Sequence, residues 1–140
     1  MNFIEVNGGN KFQREICEKV IHHMISELLP RFRTLDITVE LQNIKSEAIG
    51  FCMMHDKNQF EIELDKKLSI KELVTALCHE MVHVKQFARK EMVNGMLNGV
   101  AKWKSKKISL DTNYWDLPWE KEAYRMEKKL ATSVWENGVI

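Results

Sequence analysis

Long apolar runs are missing from this chain of 140 residues. No stretch reaches the roughly 20 residues that a bilayer-spanning helix needs. The opening MNFIEVNGGNKFQRE lacks the apolar centre of a signal peptide. A membrane is therefore not an expected partner, and the expected location is cytoplasmic. Cysteine is scarce: Cys17, Cys52 and Cys78 are scattered and form no C-x-x-C pair. Their odd number argues against a disulfide framework, and their spacing against a cysteine zinc site. An excess of one charge is also missing. Lys+Arg 21 stands against Asp+Glu 20, so no global basic field points to nucleic acid as the main partner. Internal repeats and low-complexity segments are absent. A hydrophobic fraction of 44% and a charged fraction of 29% are ordinary for a soluble globular protein. The length suits one domain over residues 1–140, with a core that needs no disulfide staples.

The apolar spacing divides the chain into elements. Phe3, Ile4 and Val6 suggest a short extended piece before Gly8-Gly9. Asn10 with Gln13 reads as a capping box, and Phe12, Ile16, Val20, Met24 and Leu28 form a helical stripe from about residue 11 to residue 29, ended by Pro30. Leu35, Ile37, Val39 and Leu41 alternate with polar residues, which predicts a strand with one buried face. Ala48 to Met54 reads as a second strand. Across a polar turn, Phe60, Ile62 and Leu64 alternate with Glu61 and Glu63 in a third. Ser69 with Glu72 is a second capping box. Ile70, Leu73, Val74, Leu77, Met81 and Val84 follow it at helical spacing, a pattern that weakens towards Met92 before Asn94-Gly95. Residues 96–117 are the least regular and suit a short hairpin. Pro118 suits the first turn of a last helix closed by Asn137-Gly138. The expected fold class is α+β. The N-terminal helix and the Ser69-capped helix pack on a small, mostly antiparallel sheet of three or four strands, and a glutamate-bearing C-terminal helix follows.

The chemistry concentrates at His79, Glu80, Met81, Val82 and His83, which read H-E-x-x-H. Residues four apart on a helix share a face, so both imidazoles can reach one metal ion, with Glu80 beside them. This is the spacing of zinc peptidases, in which the glutamate is a general base. Catalytic zinc takes three protein ligands and leaves one position open. No histidine follows His83, and His22, His23 and His55 lie upstream. The downstream carboxylates are Glu91, Asp111, Asp116, Glu120, Glu122, Glu127 and Glu136.

HEMVHVKQ, followed later by PWEKEAYRMEKKL, resembles the gluzincin zinc peptidases, and the element order resembles the minimal gluzincins and the small SprT-like metallopeptidases encoded in phages and prophages. The resemblance covers about half of the chain, from the third strand through the last helix. In that family the third ligand is a glutamate within E-x-x-A. Glu120-Lys121-Glu122-Ala123 matches it, so the resemblance implies a zinc ion held by His79, His83 and Glu120. Glu122 is the competitor and otherwise an ordinary surface charge. Many gluzincins carry an aspartate four residues after the glutamate, where it orients a zinc histidine; here that position is Tyr124.

The implied activity is hydrolysis of a peptide or protein substrate by a zinc metalloendopeptidase. Glu80 takes the proton from a metal-activated water, and Tyr114 or Tyr124 is the candidate oxyanion donor. The third strand would be the edge to which a peptide pairs. Two rivals stand beside this reading. One is a zinc-stabilised binding module, or a latent site plugged by the tail Thr132 to Ile140. The other is a nucleic-acid contact built from Trp103 among Lys102, Lys104, Lys106 and Lys107, for which a solvated loop with one packed tryptophan is the simpler account.

Overall fold

The computed structural model of the chain describes residues 1–95 and 99–140. Four strands make the main sheet: β1 (Phe3–Gly8), β2 (Asp36–Gln42), β3 (Gly50–Asp56) and β4 (Gln59–Asp65), in the order β1-β2-β4-β3. Three helices accompany it: α1 (Lys11–Leu28), α2 (Ile70–Ala88) and α3 (Pro118–Glu136). A second sheet of β5 (Met92–Gly95), β6 (Val100–Trp103) and β7 (Lys106–Ser109) lies between α2 and α3 in sequence. The class is α+β.

The expected antiparallel pairing holds for the β3–β4 hairpin and for the whole second sheet. In the main sheet the other two pairings, β1 with β2 and β2 with β4, are parallel. The cause is connectivity. Helix α1 carries the chain back between β1 and β2, and such a crossover returns the second strand in the direction of the first. The order also moves the edge. The strand around Phe60 to Leu64, expected at the edge, is β4 and lies between β2 and β3. The edge beside α2 is β3. Alternation tells which face of a strand is buried, not which neighbours it has.

Both capping boxes form. Asn10 Oδ1 accepts from the Gln13 amide at 2.8 Å and Gln13 Oε1 accepts from the Asn10 amide at 2.9 Å. Ser69 and Glu72 repeat the exchange at 3.2 and 2.9 Å. Ile37, Val39 and Leu41 of β2 and Phe60, Ile62 and Leu64 of β4 point inward. They meet Val20, Ile21 and Met24 of α1 and Leu73, Leu77 and Met81 of α2 in one core. Helix α2 is buried on nearly all sides from Leu73 to Gln86, because the sheet covers one flank and α3 another. It ends at Ala88, four residues short of the expected Met92. Lys90 adopts φ +58°, its amide bonds Phe87 O, and the Glu91 amide bonds Gln86 O. Those two bonds make a Schellman cap with lysine where glycine is usual. Asn94-Gly95 therefore belongs to β5 and is not a turn after the helix.

Of the irregular stretch expected over 96–117, residues 96–98 lie outside the described residues. The rest contains the hairpin β6–β7, whose turn places both Lys104 (φ +47°) and Ser105 (φ +74°) in the left-handed region, as a two-residue hairpin turn demands. Trp103 is buried, with its ring 6.4 Å from that of Trp119. This contact ties the second sheet to the first turn of α3, the turn that carries Glu120. No helix among the described residues is long and apolar enough to cross a membrane.

Candidate metal centre

Helix α2 presents His79 and His83 one turn apart, with ring centroids separated by 5.0 Å. The first turn of α3 brings Glu120 against them. Nε2 of His79 lies 3.1 Å from Glu120 Oε1, and Nε2 of His83 lies 3.2 Å from the same oxygen. One potential ligand atom from each residue fits within 4.8 Å of the other two. Ala123, one turn along, is fully buried where α3 approaches α2.

The outer nitrogens of both rings are occupied. His83 Nδ1 is 2.8 Å from Gln86 Oε1. The orientation of that amide follows from its other partners. Gln86 Nε2 donates to Trp119 O at 2.9 Å and to Glu122 Oε1 at 3.1 Å, and both of these can only accept. Its oxygen must then face His83, so Nδ1 carries a proton, and Nε2, which donates to Glu120 in the metal-free site, is the nitrogen left to face a metal. His79 is set in the same way: Nδ1 lies 3.3 Å from Glu127 Oε1. Once their inner protons are released, the two Nε2 atoms and the Glu120 carboxylate make the donor set that a zinc ion takes, and the residues fit it.

Charge is balanced closely here. Burial pulls the His79 and His83 pKa values down, but the Glu120 hydrogen bond and the nearby carboxylates outweigh it, and both rise above the ordinary histidine range. Burial likewise favours a neutral Glu120, yet the two histidines prevail and lower it to about 2. Glu80 goes the other way. It is buried, and burial raises its pKa although both histidines oppose the rise. A carboxylate raised in this way suits a proton acceptor and donor working near neutrality. Gly50 on β3 leaves it room: a Cβ there would sit 3.2 Å from Glu80 Oε2 and 3.1 Å from Glu63 O.

A cleft of about 500 Å³ opens over these groups, bounded by Gly50, Phe51 and Cys52 of β3 on one side and by Tyr114, Trp115 and Tyr124 on the other. Tyr114 Oη donates to Glu120 Oε1 at 3.1 Å and lies 3.1 Å from Tyr124 Oη. Burial, the Tyr124 contact and Glu120 all raise the Tyr114 pKa, so this phenol keeps its proton. The Tyr124 ring stands 4.5 Å from that of His79.

The remaining sequence candidates are placed as follows. Glu122 is not a surface charge: it is buried, 2.9 Å from Lys85 Nζ, on the far side of Gln86 from His83. Residues two apart on a helix face different ways, so Glu120 and Glu122 serve different groups. Glu127 was one of seven carboxylates downstream of His83, and its contact with His79 was missed. Its signal was the spacing of seven from Glu120, two turns along the same face. Gln86 was also missed; its only signal was its place three residues after His83. The tail does not plug the cleft. Val139 and Ile140 pack against the main core, and Trp135 and Ile140 flank Phe12 and Ile16 of α1. His22 is exposed, His23 lies 3.0 Å from Ser133 Oγ, and His55 lies 3.1 Å from Glu61. Cys17 and Cys78 are buried packing residues. Trp103, covered by Trp119, offers no free face for stacking a base, while Lys104 lies over its ring. No family model, no curated protein and no solved structure matches this chain.

Proposed function

We propose that this chain is a zinc-dependent peptidase. The observation that carries the reading is the convergence of two imidazole Nε2 atoms on one Glu120 oxygen, at the foot of a cleft in which Glu80 is buried with a raised pKa. The resemblance of HEMVHVKQ and EKEA to the gluzincins, and to the SprT-like metallopeptidases, points the same way. A zinc ion held by His79, His83 and Glu120 would supply Lewis acidity, acidifying a water and polarising a carbonyl.

The chain's own groups then have defined tasks. Glu127 and Gln86 hold the two histidine tautomers. Glu80 accepts the proton of the attacking water and returns it to the leaving amine. The Tyr114 hydroxyl, already a donor at Glu120, would stabilise developing negative charge on the carbonyl oxygen. Edge strand β3 offers unpaired backbone to an extended substrate, a role that the gluzincin resemblance had given to β4.

The test is a pair of variants assayed on an unfolded protein such as casein. Glu80→Gln should keep near-stoichiometric zinc and lose hydrolysis by about 10²–10⁴-fold. Glu120→Ala should lose the zinc itself. If the unmodified chain purifies without zinc and binds none when offered it, or if Glu120→Ala retains full zinc, the reading is wrong.

A further inference from the structure

We infer that the substrate segment is basic: the cleft and the edge strand beside it are built for an extended peptide rich in lysine or arginine. This rests on the peptidase reading and names the class of chain it would act on.

The first observation is the charge of the walls. The cleft and the adjoining hollow beside it are lined by four carboxylates, Glu47, Glu80, Glu120 and Glu127, and by no lysine or arginine among the described residues. A divalent ion would offset two of those charges. The rim glutamate, Glu47, is exposed and has no ion-pair partner among the described residues.

The second observation is the aromatic wall. Tyr114, Trp115 and Tyr124 are 45%, 65% and 40% exposed, so large side chains remain open to water beside these carboxylates. Their rings form one group, with Trp115 centred 5.2 Å from Tyr114 and 5.3 Å from Tyr124. An ammonium or guanidinium group is drawn to an exposed aromatic face, most of all to tryptophan, and a carboxylate nearby adds to the attraction. An acidic side chain would meet negative ring faces and negative walls together.

The third observation lies on the other face of the main sheet. A peptide added to β3 sends alternate side chains to the cleft and to the solvent face. On the solvent face Phe51 stands in register with Glu63 and then Glu40, and Met53 with Glu61. The four strands of this sheet contain no lysine or arginine, although the whole chain carries a formal charge of +1. Both sets of substrate side chains therefore meet the same sign.

The experiment uses the zinc-loaded Glu80→Gln chain, which binds without cutting, and fluorescent peptides of alternating alanine with lysine, glutamine or glutamate, followed by anisotropy. The lysine peptide should bind about tenfold or more tighter than the other two, with a preference that shrinks as salt rises. Trp115→Ala and Glu47→Gln should each weaken it severalfold. Equal binding of the three peptides overturns the inference. So does tight lysine-peptide binding that neither Trp115→Ala nor Glu47→Gln reduces, which would place the contact on the acidic sheet face alone. Failure of the peptidase reading looks different: the unmodified chain would bind the lysine peptide selectively and leave it uncut.

Discussion

Glu127 Oε1 stands 3.3 Å from Nδ1 of His79, while Glu120 Oε1 stands 3.1 Å from Nε2 of the same ring. One helix thus grips both nitrogens of one imidazole. If this contact orients the ring for a metal, Glu127→Ala lowers zinc affinity by about 10–100-fold. Glu127→Gln, which keeps an accepting oxygen, loses less. Competition with a chromophoric chelator measures both. Affinity equal to that of the unmodified chain in Glu127→Ala would remove the orienting role.

Lys85 sits between two carboxylates, 2.9 Å from Glu122 and 2.9 Å from Glu91, with all three side chains largely buried. Removing the cation leaves two buried negative charges uncompensated. Lys85→Met should therefore destabilise the fold by about 3 kcal/mol in urea unfolding. A loss well under about 1 kcal/mol would mean that water reaches the carboxylates and screens them.

The metal-free chain should be most stable in mild acid. His79 and His83 have raised pKa values when folded. Their contribution is complete below the unfolded value near 6.5 and is lost as pH rises through the folded values. Glu120, lowered from 4.5 to about 2, contributes above 4.5 and loses that contribution as pH falls towards 2. The two windows overlap between about 4.5 and 6.5. Zinc must displace the histidine protons, so the stabilisation it adds should grow as pH rises through the folded histidine values. Urea unfolding with and without zinc, at about pH 5.5 and pH 8, separates the curves. A metal-free stability that rises between those pH values would contradict the charge balance described for the site.

Lys90 ends α2 at φ +58°, in the left-handed region. Glycine at such a cap avoids the left-handed strain, at some cost in unfolded-chain entropy. Lys90→Gly should stabilise the chain by about 0.5 kcal/mol, read from the denaturation midpoint. A loss of stability would mean that the Lys90 side chain contributes more than its backbone costs.

Local chemistry was legible in the sequence, and long-range order was not. Asn10 with Gln13 and Ser69 with Glu72 announce their helices because both partners of each bond lie three residues apart. His79, His83 and the face they share follow from helical period alone. Glu120 needed the E-x-x-A resemblance, since nothing local distinguishes it from six other downstream carboxylates. Glu122 looked like surface because charge usually is; only the approach of α3 to α2 buries it and pairs it with Lys85. The edge role went to β4 on the resemblance alone; the chain leaves β2 for the far edge and returns through the β3–β4 hairpin, which puts β4 between β2 and β3.

Three glutamates of α3 make three different sets of contacts: Glu120 meets both histidines, Glu122 meets Lys85 and Gln86, and Glu127 meets the outer nitrogen of His79. Their spacing makes the helix a ruler with fixed marks. Each residue added or removed between them turns the later marks by about 100° and shifts them by about 1.5 Å. A one-residue insertion at Tyr124 or Arg125 would carry Glu127 off His79 while leaving every side-chain identity intact. The Lys104-Ser105 turn lies outside that helix, at the tip of the β6–β7 hairpin. Length variation in this chain should be tolerated at that hairpin tip and refused within the seven-residue interval from Glu120 to Glu127.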